Sequence, residues 1–298
     1  MHYKSVALIG LGLISASIAL ALRRKNKSIK ITGTSRSAET RKKAIELGIC
    51  EVKDNSIDAI RGADLIILCV PVGAMASVVQ EFASFLKPGV TLTDVGSVKG
   101  EVIASIIPLL PEGIVFIPGH PLAGTENSGP ESGFATLFDN RWCILTPQKG
   151  CSKDLVNKLR FFWEQLGARV DQMDPEHHDL VLAVTSHVPH LIAYTMVGVA
   201  DDLANITKSE VINYSAAGFR DFTRIAASDP TMWRDVFLNN KEASLEILGR
   251  FNEELTALQR AVRRGDGDFL FDYFTRTRQV RRKILEAGQD TSEPNFGR

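Results

Sequence analysis

VALIGLGLIS, residues 6–15, is the stretch that decides the fold. The four apolar residues 6–9 read as a short buried strand and Gly10-Leu11-Gly12 as a turn. Residues 13–24, rich in Ala and Leu and ending in Arg23-Arg24, read as a helix whose basic end suits its dipole. Gly10 permits a tight turn, and Gly12 lets the backbone approach a pyrophosphate at the helix N-terminus. Ser15 stands in the third glycine place of a G-x-G-x-x-G pattern, and a small serine still allows close helix–strand packing. Glycines end many strands, so the strand–turn–helix setting carries the reading. It predicts a Rossmann-like dinucleotide site at Gly10, Gly12, Leu13 and Ile14.

The pattern continues outward. Further strand-like runs lie at 29–32, 65–70, 90–95, 114–117, 142–145 and 168–172. Helices are expected at 38–47, closed by Gly48, and at 153–166. Alternating strands and helices imply a parallel sheet with right-handed crossovers. The run LIILCV at 65–70 is apolar on both faces, as a strand covered by helices on both sides requires. Val70 and Pro71, at its end, join the expected cofactor positions. An NAD site expects an acid after the second strand. Here the chain reads Thr34-Ser35-Arg36-Ser37, with no acid before Glu39. Ser35 and Arg36 suit a 2′-phosphate, which favours NADP over NAD. The plainer alternative makes Arg36 a solvated charge and Ser37 a helix cap.

Beyond residue 174 the strand-like runs stop. Residues 176–200 read as helix with Pro189 inside it, and Ser228-Asp229-Pro230 as a helix start. Apolar residues at helical spacing from Val236 to Val262 predict one helix running to about 264, ~50 Å long. Such a helix cannot bury its stripe within one small domain, so a homodimer made by this half is expected. The fold class is therefore α/β. A Rossmann-like parallel-sheet domain over 1–174 precedes an all-helical substrate and dimerisation domain over 175–298. The tail from Asp290 reads as disordered.

Composition narrows the function. The 298 residues hold 35 Lys+Arg and 35 Asp+Glu, so no basic stripe for nucleic acid is expected. With 44% hydrophobic and 23% charged residues, the chain is globular rather than disordered. Cys50, Cys69, Cys143 and Cys151 form no CxxC and read as core residues in a reducing compartment. The apolar stretch 13–22 is too short for a bilayer and no signal peptide is evident. A cytoplasmic protein without a membrane role is expected.

Four polar islands remain. Asp94-Val95-Gly96-Ser97-Val98-Lys99 follows a strand at the sheet edge where ligands bind, although Ser97 could equally cap a helix. Gly119-His120-Pro121 and the residues to Glu126 put a histidine on an expected loop, as an acid/base would be. Ser186-His187-Val188-Pro189-His190 places Ser186 and His190 on one helical face. His177 and His178 lie nearby, but no metal-ligand spacing supports a metal, and both read as a solvated helix start. Phe219-Arg220-Asp221-Phe222-Thr223-Arg224 offers guanidinium groups for a carboxylate, or merely surface ion pairs.

Together these motifs resemble the prephenate/arogenate (cyclohexadienyl) dehydrogenases. The matching pieces are GLGLISAS at 10–17, DVGSVKG at 94–100, GHPLAGTENSG at 119–129, TSHVPH at 185–190 and FRDFTRIAASDPTMWRD at 219–235. The departure is Ser15 for the usual glycine. The resemblance implies a Rossmann domain plus a helical dimerisation domain; by length, no fused chorismate mutase or ACT domain is expected. It also implies oxidative decarboxylation of prephenate and/or arogenate with hydride transfer to NAD(P), in tyrosine biosynthesis. It makes His120 the base and has Ser97 hold the substrate hydroxyl and the nicotinamide. It has Arg224 bind a substrate carboxylate with His190 and Ser186 nearby. Glu126 and Asp221 become an ionic gate, and Trp233 shapes the pocket. No metal is implied. Two rivals stay open: a β-hydroxyacid dehydrogenase, which would use a Lys base from the helical half, and a non-catalytic NAD(P)-sensing regulator.

Overall fold

The computed structural model describes residues 3–286, with side chains omitted for 203–213. The tail expected to be disordered lies outside the described residues. The chain forms, in order, β1 Ser5–Ile9, α1 Leu13–Lys25, β2 Lys30–Thr34, α2 Ala38–Glu46, β3 Glu51–Val52, α3 Ser56–Ile60, β4 Leu65–Leu68 and α4 Val72–Phe82. Then come β5 Thr91–Asp94, α5 Gly100–Ile106, β6 Val115–Phe116, β7 Gly119–Pro121, β8 Trp142–Leu145, α6 Lys153–Gln165 and β9 Arg169–Gln172. The remainder is α7 Pro175–Leu182, α8 Val188–Asn213, α9 Ala217–Thr223, α10 Pro230–Asn239, α11 Lys241–Arg264 and α12 Gly267–Glu286.

Six strands pair in parallel in the order β3-β2-β1-β4-β5-β6. This is the doubly wound order whose switch point lies between the β1 and β4 ends. Side chains alternate across the pleat, and both faces are covered. Val6 and Leu8 of β1 join a cluster with Ala16, Ile18, Phe162 and Trp163. Ala7 and Ile9 join another with Met75, Val79, Phe82 and Val102. Burial on both sides is what the apolar run at β4 required.

The expectation of one parallel sheet needs correction. β8 leaves it and forms a separate sheet, β7-β8-β9, in which β7 and β8 run antiparallel. β7 is only three residues long and contains a proline, which hid it in the sequence.

The chain divides into two compact units. One comprises the residues up to 189 together with 227–243; the other comprises 190–226 and the residues from 244 onward. Within the first unit, Asp179 of α7 binds the start of α5, and Asp235 of α10 lies against Gly73 of α4. These contacts carry helical residues into the sheet unit.

Two helical expectations also change. Residues 230–264 are not one helix: α10 ends at Asn239, and the Asn240 that follows has φ −125° and ψ 46°. Asn240 is buried and turns its side chain to cross-links instead of continuing the helix. Residues 183–187 form a π turn between α7 and α8. The Pro189 ring collides with the residue 185 carbonyl at ordinary α spacing, and widening the turn relieves that clash.

Candidate active site

The cofactor cradle starts at Gly10. Its φ is +101°, and a Cβ there would lie 2.4 Å from the Cys69 carbonyl oxygen. Only glycine fits this approach of β1 to the end of β4. Gly12 caps α1, a Cβ on it would meet nothing within 4 Å, and the first turn carries no acid. Open space above uncapped backbone N–H groups fits a pyrophosphate. Ser15 is buried and donates its hydroxyl to the Gly12 carbonyl at 2.9 Å. The close packing falls one residue later, where a Cβ on Gly133 would sit 2.5 Å from the Ala16 Cβ. Leu13 is buried, Ile14 and Val70 are half-buried, and exposed Pro71 begins α4.

At the end of β2, Arg41 donates to the carbonyls of Ser35 at 2.6 Å and Arg36 at 3.1 Å. This fixes the Ser35–Arg36 loop and brings a second guanidinium to it. Arg36 itself is exposed, and Ser37 caps α2 by accepting from the Thr40 N–H at 3.1 Å.

Beyond the cradle, β5 ends in Asp94 and Lys99 stands just before α5. Both side chains are fully buried and form an ion pair. Lys99 also donates to the Gly119 carbonyl at 2.8 Å. Asp94 accepts from the N–H groups of Gly96 at 2.8 Å and Gly119 at 3.1 Å. A buried pair of this kind adds little net stability over apolar packing, but it tolerates no missing partner. Its geometric effect is to tie the end of β5 to the start of β7, next to His120.

His120 is 7% exposed and sits in β7, not in a loop as expected. Its Nδ1 lies 2.9 Å from His178 Nε2. His178 Nδ1 lies 2.8 Å from Asp179 Oδ1. Asp179 in turn accepts from the backbone N–H groups of Lys99 and Gly100, both at 2.8 Å. Asn240 donates to the Asp179 carbonyl at 2.9 Å and lies 3.0 Å from His187 Nδ1. Burial, and then the neighbouring His178, Lys99 and His187, hold His120 well below the usual histidine range, so it is neutral near pH 7. Burial also lowers His178, against the opposing hydrogen bond to Asp179.

The solvated reading of His177-His178 is therefore half wrong. His177 is exposed, but His178 is fully buried and touches His120. In the same unit Ser97 and Glu126 are half-buried, and Ser186 lies in the π turn. Trp233 of α10 is buried, with its ring centroid 6.1 Å from that of His187. His190, Asp221 and Arg224 belong to the second unit. There His190 is half-buried on α8, while Asp221 and Arg224 are exposed on α9 and at its end. Among the described residues no group of three His, Cys, Asp or Glu is arranged to hold a metal.

Sequence reading missed the roles of Lys99, His178, Asp179 and Asn240. The available signals were a lysine inside an apolar frame, a His-Asp pair in a helix's first turns, and the adjacent Asn239-Asn240 inside the expected long helix.

Residues 18–172 match the family model for the prephenate dehydrogenase nucleotide-binding domain, and residues 174–276 that for the prephenate dehydrogenase dimerization domain. A cyclohexadienyl dehydrogenase of Zymomonas mobilis is 41% identical over 280 residues, covering 94% of this chain and 95% of that protein. A prephenate dehydrogenase of Bacillus subtilis is 36% identical over 282 residues, covering 93% of this chain and 75% of that protein. Among solved structures, the prephenate dehydrogenase of A. aeolicus in complex with hydroxyphenyl propionate and NAD+ is 35% identical. Its TM-score is 0.86, with 94% of this chain and 98% of that chain covered.

Proposed function

The chain belongs to the prephenate dehydrogenase family, and from that premise we propose that it oxidatively decarboxylates prephenate or arogenate in tyrosine biosynthesis. The single observation that carries the reading is a buried His120 whose Nδ1 lies 2.9 Å from His178 Nε2, next to the end of β5. A nicotinamide cofactor, when bound, accepts a hydride from C4 of the cyclohexadienyl ring. His120 takes the C4 hydroxyl proton, the ring carboxylate leaves as CO2, and the ring becomes aromatic. A histidine kept neutral by burial is ready for that role without first losing a proton.

Ser97 orients the hydroxyl and the nicotinamide. Arg224 binds a substrate carboxylate, supported by His190 and Ser186, with Glu126 and Asp221 as gate and Trp233 as wall. Gly10, Gly12, Leu13, Ile14, Val70 and Pro71 hold the dinucleotide. Ser35 and Arg36 favour NADP, a reading supported by the acid-free end of β2 and by Arg41 at the same loop. The division that goes with these roles is a dinucleotide-binding part over 1–174 and a substrate-binding, dimerising part over 175–298.

The helical half makes a homodimer. Leu245, Leu255, Val262 and Phe271 are each more than half exposed, which fits a face awaiting a second copy. The run 175–202 is long and apolar enough to cross a bilayer by length and composition. Its first part nevertheless carries buried His178, Asp179 and His187, which pack into the sheet unit. We therefore assign its exposed Met196, Val197 and Val199 to the dimer and place the protein in the cytoplasm.

The test is spectrophotometric. Reduced cofactor should form with prephenate or arogenate, and His120→Asn should lower kcat by about 10²–10⁴ with substrate KM little changed. A variant with near-wild-type kcat would remove His120 from the chemistry.

A further inference from the structure

We propose that His178 and Asp179 form a positioning dyad that fixes which nitrogen of His120 carries its proton. The proposal rests on the reading of His120 as the base.

An ionised carboxylate can only accept hydrogen bonds. Asp179 already receives two backbone N–H groups at the start of α5, and at 2.8 Å it also receives His178 Nδ1–H. A neutral His178 with its proton on Nδ1 has a lone pair on Nε2. That nitrogen lies 2.9 Å from His120 Nδ1, and two lone pairs cannot share such a contact. His120 Nδ1–H therefore donates, and the lone pair of His120 resides on Nε2.

The chain of contacts thus dictates the tautomer in which Nε2 is the basic atom. When Nε2 takes the hydroxyl proton, His120 becomes an imidazolium whose Nδ1–H still donates to His178. No proton has to leave Nδ1. The positive charge is met through a polarised His178 by the Asp179 carboxylate. Capping α5 explains Asp179 but not His178. His178 is fully buried, and its two ring contacts connect Asp179 to His120. Burying an imidazole between two polar groups is unfavourable unless every contact is made, and here each one is.

The experiment uses the full-length chain. Long-range 1H–15N correlation of imidazole nitrogens at neutral pH should show Nδ1–H on both His120 and His178. In turnover, His178→Gln places an amide oxygen near the lost Nε2 and should keep kcat within about threefold of wild type. His178→Asn reaches Asp179 but not His120, and should lose at least about tenfold in kcat with cofactor KM unchanged. Asp179→Asn combined with His178→Asn should cost no more than the worse single change, because the two act as a unit. A proton on His120 Nε2 in the free protein overturns the proposal, as does equal activity of the Gln and Asn variants. If the wild type oxidises neither prephenate nor arogenate, the reading of function fails. The nitrogen spectrum needs no substrate and still decides the dyad.

Discussion

Replacing Lys99 by Met removes a charge from a place that water does not reach. Both Lys99 and Asp94 are fully buried, so Asp94 would keep two N–H donors but lose its counter-ion. The Gly119 carbonyl would also lose its donor. Breaking a buried pair from one side costs about 3–5 kcal/mol. An orphaned carbonyl adds about 1 kcal/mol or more. The total, about 4–6 kcal/mol, is a large fraction of the stability of an ordinary domain. For a unit of this size it corresponds to a melting temperature lower by about 8–24 °C. Differential scanning calorimetry and urea titration measure it. The deficit should shrink as pH falls, because an unpaired buried Asp94 gains a proton in the folded state more readily than in the unfolded chain. A Lys99→Met protein within about 1 kcal/mol of wild type, with no pH dependence of the difference, would refute the reasoning.

Three further outcomes are expected. Arg36→Ala should raise the NADP KM far more than the NAD KM; equal effects, or a wild type that prefers NAD, would end the NADP reading. Arg224→Ala should raise prephenate KM at least tenfold, as loss of a bidentate carboxylate anchor implies, with cofactor KM unchanged and Arg220→Ala much milder. The two buried histidines should make the fold acid-sensitive. Both native pKa values are lowered, so the stability they contribute is complete above the unfolded histidine value of about 6.5 and is lost as pH falls below it. Urea midpoints between pH 8 and 5 should fall more for wild type than for His178→Gln, and parallel curves would contradict this.

The doubly wound sheet was legible because its signals are local. A glycine turn between a buried strand and a helix, and strands apolar on both faces, are each written in under ten consecutive residues. The second sheet was not legible, because β7 is three residues long and its pairing with β8 is a tertiary event. The break at Asn240 is likewise invisible to periodicity: the apolar spacing continues through it, and the cause is a bond to Asp179, 61 residues away. The motif singles out His120, but not the residues that touch it. His178 and Asp179 look like polar residues at a helix start until the fold brings α7 against β7 and α5. Burial decides their meaning, and burial is not written locally.

The sheet unit is discontinuous in sequence, and this bears on how the chain is made. Its last pieces, with Asp235 against Gly73 and Asn240 on Asp179, are translated after residues 190–226, which belong elsewhere. About 50 residues separate 189 from 240, a delay of about 3–10 s at ~5–20 residues per second. During that interval the nascent unit lacks the asparagine that ties α7 down. A chimera joined at residue 174 would leave it lacking more: the cap of α5 and the partner of His120 both lie a few residues past the cut. Exchange of this domain between relatives therefore succeeds only when two separate segments, not one, travel together.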